Sequence, residues 1–177
     1  MYGIPLDATV LLSVGELNDN KNHRVVIEAL KELCECWYVI CGRGPLLEEY
    51  KRLAKQLGVD RRVILPGYRD DIEHFYNISD AFVFPSLREG LPVAVIEAMS
   101  AGLPVVCTKI RGCSDLICDG ENGFFIDAND TNSIVNGIRK AINNRFYLSK
   151  NNMSKAILYD LNTIVEQYRD LYKKTSS

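Results

Sequence analysis

The chain has 177 residues, enough for one domain whose core needs no metal or disulfide framework. Its 21 basic and 23 acidic residues give a net charge of -2, which excludes the strong positive field typical of proteins that bind nucleic acid. The six cysteines lack the spacing of a zinc site, and Cys41 and Cys107 stand in apolar, strand-like runs. No run of residues is long and apolar enough to span a bilayer. We therefore expect a cytoplasmic protein without a metal site.

Short apolar or β-branched runs alternate with segments of helical periodicity. The predicted strands are residues 9–14, 37–41, 63–65, 81–84, 105–107 and 123–126. Helices are predicted at about residues 21–33, 46–57, 72–77, 92–101 and 131–143. Because such strands are apolar on both faces, they suit a parallel sheet covered by helices. The alternation predicts a doubly wound, Rossmann-like α/β domain.

The last segment, residues 146–174, lacks strand signals and carries an apolar stripe at helical spacing. The stripe consists of Leu161, Ile164, Val165, Tyr168, Leu171 and Tyr172. It packs either on this domain or on another one. We expect a single domain over residues 1–177, with a core at about 8–143 and C-terminal helices at about 146–174. Because the sheet pattern starts almost at Met1, the start is interpreted as a cut in a longer protein.

In an open α/β sheet, ligands bind where loops leave the carboxyl ends of the strands. The first such loop, residues 15–21, runs from Gly15 to Lys21 at the start of a helix. Its N–H groups and the lysine could face an anion, although a polar loop ending in a solvated lysine fits equally well. The second loop carries Gly-Arg-Gly at residues 42–44. These glycines allow a tight turn or a close approach to a ligand, and Arg43 could reach a phosphate.

The third loop connects the strand at residues 81–84 to a helix. Gly90 frees the backbone and Pro92 fits the first helical turn, which puts a helix N-terminus beside the crevice. Its N–H donors suit a diphosphate leaving group. Glu97 lies about 7.5 Å further along the helix axis, where a carboxylate could bind a sugar diol or lie on a solvated stripe. Glu89 could be an ordinary charge near a positive helix end.

The segment from Glu89 to Glu97 resembles the Glu-x7-Glu signature of the retaining glycosyltransferases of family 4 and their GT-B relatives. The similarity extends over about residues 10–142. It includes residues 15–21, 42–45, 65–68, 98–106, Gly112 and 119–124. The resemblance implies the donor-binding, C-terminal half of a GT-B enzyme whose N-terminal, acceptor-binding domain is absent here. The fragment alone is then expected to have little or no transferase activity.

The resemblance also implies a role for each matching residue. Glu89 would contact the donor sugar near the reacting carbon, as a nucleophile or as an electrostatic stabiliser, while Gly90 and Leu91 would offer N–H groups to the sugar or phosphate. The other donor-binding residues would be Lys21 at the diphosphate, Glu97 at the ribose, Gly67 and Tyr68 beside the nucleobase, and Gly15 and Arg43 in the phosphate-facing loops. This chain has Glu16 where the family usually has arginine, which leaves Arg43 or Arg88 to compensate.

No metal or other cofactor is expected, because GT-B enzymes stabilise the leaving group with helix N-termini and basic side chains. The resemblance favours a UDP-sugar donor and a polysaccharide or lipid-linked acceptor, and it leaves room for peripheral membrane contact through the full-length protein. The alternatives are a fragment of a nucleotide-sugar epimerase and a non-catalytic nucleotide-sugar-binding module. A dinucleotide fingerprint fails, since Leu47 replaces its last glycine. His23 is interpreted as a surface or capping histidine.

Overall fold

The computed structural model describes residues 2–159. Its centre is a six-stranded sheet with the strand order β3-β2-β1-β4-β5-β6, in which all neighbouring strands are parallel. The strands are β1 (Thr9–Val14), β2 (Cys36–Cys41), β3 (Val63–Gly67), β4 (Ala81–Phe84), β5 (Val105–Thr108) and β6 (Gly123–Ile126). The predicted doubly wound α/β fold is thus confirmed, and each predicted strand agrees with an observed one to within two residues.

Seven α-helices lie within the described residues. They are α1 (Arg24–Ala29), α2 (Leu47–Gln56), α3 (Ile72–Asn77), α4 (Val93–Ser100), α5 (Arg111–Leu116), α6 (Thr131–Asn143) and α7 (Arg145–Ala156). Helix α1 is shorter than the predicted helix at both ends, because the chain up to His23 belongs to the preceding loop and the residues after Ala29 form turns. The sequence does not predict α5, which contains glycine and serine, two poor helix formers. The predicted apolar stripe that starts at Leu161 lies outside the described residues.

The sheet buries apolar side chains on both of its faces. On β1, Leu11 belongs to the core that α1, α2 and α6 cover, whereas Val10 and Leu12 belong to the core covered by α3, α4 and α5. The side chains of a strand alternate between faces, so each strand contributes to both cores. Cys41 and Cys107 are buried as expected, and all six cysteines, which lie within the described residues, are unpaired.

Strand β1 marks the point where the strand order reverses. It pairs with β2 on one side and with β4 on the other, with Leu11 opposite Ala81 and Leu12 opposite Phe82 in the second pairing. The connections from β1 and β4 therefore leave the sheet in different directions, and a crevice opens between them at the carboxyl ends. This is the place where the fold provides a binding site.

Helix α7 is hydrogen-bonded to the other end of the sheet, where the strands begin. The buried side chain of Asn152 donates hydrogen bonds to the carbonyls of Leu103 (2.7 Å) and Asn122 (2.8 Å), just before β5 and β6. Its Oδ1 accepts a hydrogen bond of 3.1 Å from Asn122 Nδ2. Asn122 also accepts a bond from the Cys118 N–H. The Asn-Gly stretch that resembles the family motif thus has a structural role here.

Replacing Asn152 with alanine should destabilise the domain. The substitution removes three buried hydrogen bonds, and the polar groups that lose their partner are buried where water cannot replace it. We expect the free energy of unfolding to fall by about 2–4 kcal/mol, measured by urea denaturation. Asn143→Ala is the matched control: this asparagine is exposed at the end of α6, and its change should stay within about 0.5 kcal/mol. Equal effects of the two substitutions would contradict this account of α7.

His23 is buried, so its interpretation as a surface histidine is wrong; it occupies the N-cap position of α1, but its side chain makes no capping hydrogen bond. Its Nδ1 lies 3.2 Å from the Tyr38 hydroxyl, which is 2.7 Å from Ser13 Oγ in a buried polar network. Its Nε2 is buried without a hydrogen-bond partner. Burial, reinforced by the positive charge of Lys21, lowers the pKa of His23 from 6.5 to about 4. The imidazole is therefore neutral in the folded protein near neutral pH.

Protonation of His23 should destabilise the fold in mild acid. Because the folded-state pKa lies below the unfolded one, the unfolded chain binds more protons between pH 6.5 and about 4. The histidine's stabilising contribution is complete above pH 6.5 and falls by up to about 3 kcal/mol as the pH drops through this window. Denaturation of His23→Gln across the window should show a shallower pH dependence than wild type. The exposed His74→Gln is the control, and a wild-type slope in His23→Gln would contradict the assignment.

Candidate functional site

The loop after β1 is fixed by backbone contacts before any ligand is considered. The Gly15 N–H donates to the carbonyl of Cys41 (3.0 Å), and the Leu17 N–H donates to that of Arg43 (2.9 Å). Leu17 is fully buried. The Asn18 side chain accepts a hydrogen bond of 2.9 Å from the Lys21 N–H, which closes the loop. These bonds place Lys21 at the carboxyl end of β1, on the crevice.

The glycines of the second loop serve the packing of the first loop. A β-carbon at Gly42 would overlap the carbonyl oxygen of Gly15, and one at Gly44 would overlap that of Leu17. The predicted close approach is therefore to another segment of the backbone. Between these glycines, Arg43 is exposed, and its guanidinium carbon lies 5.7 Å from the centre of the Tyr68 ring.

The turn after β3 joins the second loop. The carbonyl of Gly67 accepts a hydrogen bond of 2.9 Å from the Gly42 N–H, and Gly67 has a φ of +79°, a left-handed conformation that favours glycine. The turn leaves the Tyr68 ring 66% exposed beside Arg43. The structure thus brings Arg43, Gly67 and Tyr68 together at the carboxyl ends of β2 and β3.

The third loop meets the first loop through an ion pair. Lys21 Nζ lies 2.7 Å from Glu89 Oε1, and the two side chains are only 19% and 16% exposed. The ammonium group also lies 4.8 Å from the centre of the Phe84 ring at the end of β4. At this burial the pair is screened much less by salt than a surface ion pair. The sequence predicts both residues as site residues, and the structure shows that they touch.

Asn20 fixes the backbone around this ion pair. Its carbonyl accepts a hydrogen bond of 2.8 Å from the Leu87 N–H. Its side-chain amide donates to the Arg88 carbonyl at 2.9 Å and to Glu89 Oε1 at 3.4 Å. Sequence reasoning misses Asn20, because an asparagine in a polar loop looks like any turn residue.

The chain between the ion pair and α4 presents an open backbone. Gly90 and Leu91 are exposed, and Gly112, which belongs to the family-like motif, allows α5 to pack against the Gly90 carbonyl. A β-carbon at Gly112 would overlap that carbonyl oxygen. Pro92 occupies the N-cap position of α4, one residue earlier than the predicted place in the first turn. The N-terminus of α4 still faces the crevice side of the sheet, as predicted.

Glu97 lies on the second turn of α4 and faces α3. Its Oε2 accepts a hydrogen bond of 2.8 Å from the hydroxyl of Tyr76, and the residue remains exposed. The two residues line a groove of about 370 Å³ together with Ile72, Glu73, Asn77 and Ala101. The carboxylate of Glu97 thus faces solvent on one side and has a buried hydrogen-bond partner on the other. Nothing in the sequence pairs Tyr76 with Glu97, because the two lie on different helices.

Residues 2–159 contain no cluster of three or more histidine, cysteine or acidic side chains that could hold a metal ion. In the same range, no helix combines the length and apolar character that crossing a membrane requires.

Comparison with known proteins identifies the family. The model of the glycosyl transferases group 1 family matches residues 2–157. The UDP-Gal:alpha-D-GlcNAc-diphosphoundecaprenol alpha-1,3-galactosyltransferase of Escherichia coli is 32% identical over 97% of this chain, and the match spans 47% of that protein. The putative glycosyltransferase EpsD of Bacillus subtilis is 33% identical over 97% of this chain and is matched over 47% of its length. The chain thus spans about half the length of these relatives.

Solved structures agree with the fold. The Anabaena protein Alr3699/HepE, crystallised with UDP, superimposes with a TM-score of 0.88 at 23% identity, over 95% of this chain and 49% of that one. The sheet of six parallel strands and the sequence similarity lead to one assignment. The chain belongs to the group 1 glycosyl transferases and forms a C-terminal domain of the GT-B fold.

Proposed function

We propose that this domain binds the nucleotide-sugar donor of a retaining glycosyltransferase, which transfers a hexose-type sugar from an NDP-sugar, most simply a UDP-sugar. The observation that supports this most directly is the contact between Lys21 and Glu89, a cation and an acid at the switch point of the sheet. A nucleotide sugar presents a diphosphate, which a cation can bind, next to sugar hydroxyls, which can donate hydrogen bonds to a carboxylate. UDP in the solved relative Alr3699/HepE is consistent with this donor class.

The proposed roles follow the path of the donor along the carboxyl edge. Tyr68 and Gly67 lie beside the nucleobase, Glu97 binds the ribose, and Lys21 binds the diphosphate. The arginine over the Tyr68 ring, Arg43, can reach a phosphate where the family's usual arginine is replaced by Glu16. These groups come from segments that follow β3, β2, β1 and β4, four strands that are neighbours in the sheet.

The chemistry proposed for the remaining residues concerns the sugar–phosphate bond. As this bond breaks, negative charge develops on the diphosphate and positive charge on the sugar. Lys21 and the N–H groups of Gly90 and Leu91, at the start of α4, stabilise the first charge. Glu89 faces the second, as a nucleophile or as a stabilising charge. This arrangement needs no metal ion or other cofactor, and the nucleotide sugar is the co-substrate.

The proposal places the acceptor outside this chain. Because the chain spans about half of its relatives, the acceptor, a polysaccharide or a lipid-linked sugar, would bind to an N-terminal domain. The name of the Escherichia coli relative specifies a lipid-linked acceptor for that enzyme. We accordingly propose a cytoplasmic enzyme with peripheral contact to the inner face of the membrane through the full-length protein, and little or no transfer by this domain alone.

Binding of free UDP should respond in opposite directions to changes at the two ends of the ion pair. Lys21→Ala removes a cation from the diphosphate and should weaken binding about tenfold or more. Glu89→Gln releases Lys21 from its carboxylate and removes a repulsive charge, so binding should tighten by about two- to fivefold. Calorimetric titration of the 177-residue chain, with and without EDTA, measures both effects and tests the metal-free site. GDP and UDP-sugars, titrated alongside, identify the base and sugar.

The surface pair Lys51–Glu48, also 2.7 Å long, provides the matched control. Lys51→Ala should leave nucleotide binding unchanged. If the wild-type chain binds no nucleotide, the proposal for this domain is contradicted and the assignment is restricted to its fold. Donor binding combined with release of free nucleoside diphosphate by the full-length protein without any acceptor would favour an epimerase. Binding without either reaction would favour a non-catalytic module.

A further inference from the structure

The hydroxyl of Tyr76 links α3 to the first turns of α4. It donates to Glu97 Oε2 at 2.8 Å and lies 3.3 Å from the carbonyl oxygen of Ala94. The tyrosine is only 5% exposed, and its ring packs against Phe82, with 5.9 Å between ring centres. A phenol held this firmly fixes the position of whatever it bonds.

Glu97 needs such a partner to hold its carboxylate in one orientation as a hydrogen-bond acceptor. A glutamate on an exposed helix surface samples several rotamers, and ordering it on a ligand costs side-chain entropy. The bond from Tyr76 fixes one carboxylate oxygen in the free protein. Within the described residues, the other oxygen, Oε1, accepts no protein hydrogen bond. That oxygen is available to a hydroxyl of a bound molecule.

Tyr76 remains a hydrogen-bond donor over a wide pH range. Burial is the main cause, and the hydrogen bond to Glu97 the second cause, that raises the pKa of Tyr76 well above its ordinary value. The phenol therefore stays protonated wherever the protein is folded near neutral pH, and Glu97 must accept.

We propose that Tyr76 is a positioning residue that orients Glu97 toward the ribose hydroxyls, and that this pair makes the site prefer ribonucleotides over nucleotides lacking those hydroxyls. The inference rests on the proposed donor-binding function. Tyr76 itself does not touch the nucleotide; it removes the entropic cost of ordering Glu97 and aims Oε1. Loss of the phenol hydroxyl should therefore matter only when the ligand carries the ribose hydroxyls.

The test compares UDP with 2′,3′-dideoxy-UDP by calorimetry on the 177-residue chain. Wild type should bind UDP more tightly than the dideoxy analogue. Tyr76→Phe should weaken UDP binding by about three- to tenfold, the size of one lost hydrogen bond, and leave the affinity for the dideoxy analogue within about twofold. In a Glu97→Ala background, Tyr76→Phe should cause no further loss. Tyr147→Phe, an exposed tyrosine on α7, is the matched control and should change neither affinity.

Two results would overturn the inference while the proposed function stands. Equal weakening of both ligands by Tyr76→Phe would show a general packing role, and an unchanged UDP affinity would show that Glu97 needs no positioning. A retained affinity for the dideoxy analogue shows that the variant is folded and its site intact. If wild type binds neither nucleotide, the proposed function fails first, and the role of Tyr76 fails with it.

Discussion

The contact between Lys21 and Glu89 depends on one property of the sheet, the parallel pairing of β1 with β4. The two residues are 68 positions apart in the sequence, yet each lies in the loop that follows the carboxyl end of its strand. Parallel neighbours end at the same edge, so the two loops must meet there. An antiparallel β4 would deliver Glu89 to the opposite edge. The meeting of these two charges is thus a consequence of strand order. The crossover helices on both faces preserve that order.

Backbone packing between loops makes this edge rigid. At Gly42, Gly44 and Gly112, a β-carbon would overlap the carbonyl oxygen of a neighbouring loop. These glycines therefore let peptide units of different loops touch directly, with hydrogen bonds such as the one from Gly42 to Gly67. A site built from such contacts is largely preorganised, and less binding energy is spent on ordering loops around the ligand. The same glycines also belong to the stretches that resemble the family.

Local sequence patterns predict the fold well and the site in part. The strands at residues 9–14 and 81–84 agree with the observed β1 and β4, because runs that are apolar on both faces have few other structures open to them. Loop position and motif predict Lys21 and Glu89 as site residues. The partners of the two acids could not be predicted: Asn20 contacts Glu89 across 69 positions and Tyr76 contacts Glu97 across 21, separations that no local pattern encodes. His23 is polar by type, and only the tertiary structure reveals its burial.

The two acids of the signature share a support although they do not touch each other. Below Glu97, the Tyr76 ring packs on Phe82; Phe82 stacks on Phe84 with ring centres 6.0 Å apart, and Phe84 lies under the ammonium group of Lys21. This aromatic row runs along β4 from the proposed ribose end to the proposed diphosphate end. Close-packed rings transmit displacement because an interior without voids cannot absorb it. The spacing between Glu97 and Lys21 is therefore a property of β4 as much as of either side chain.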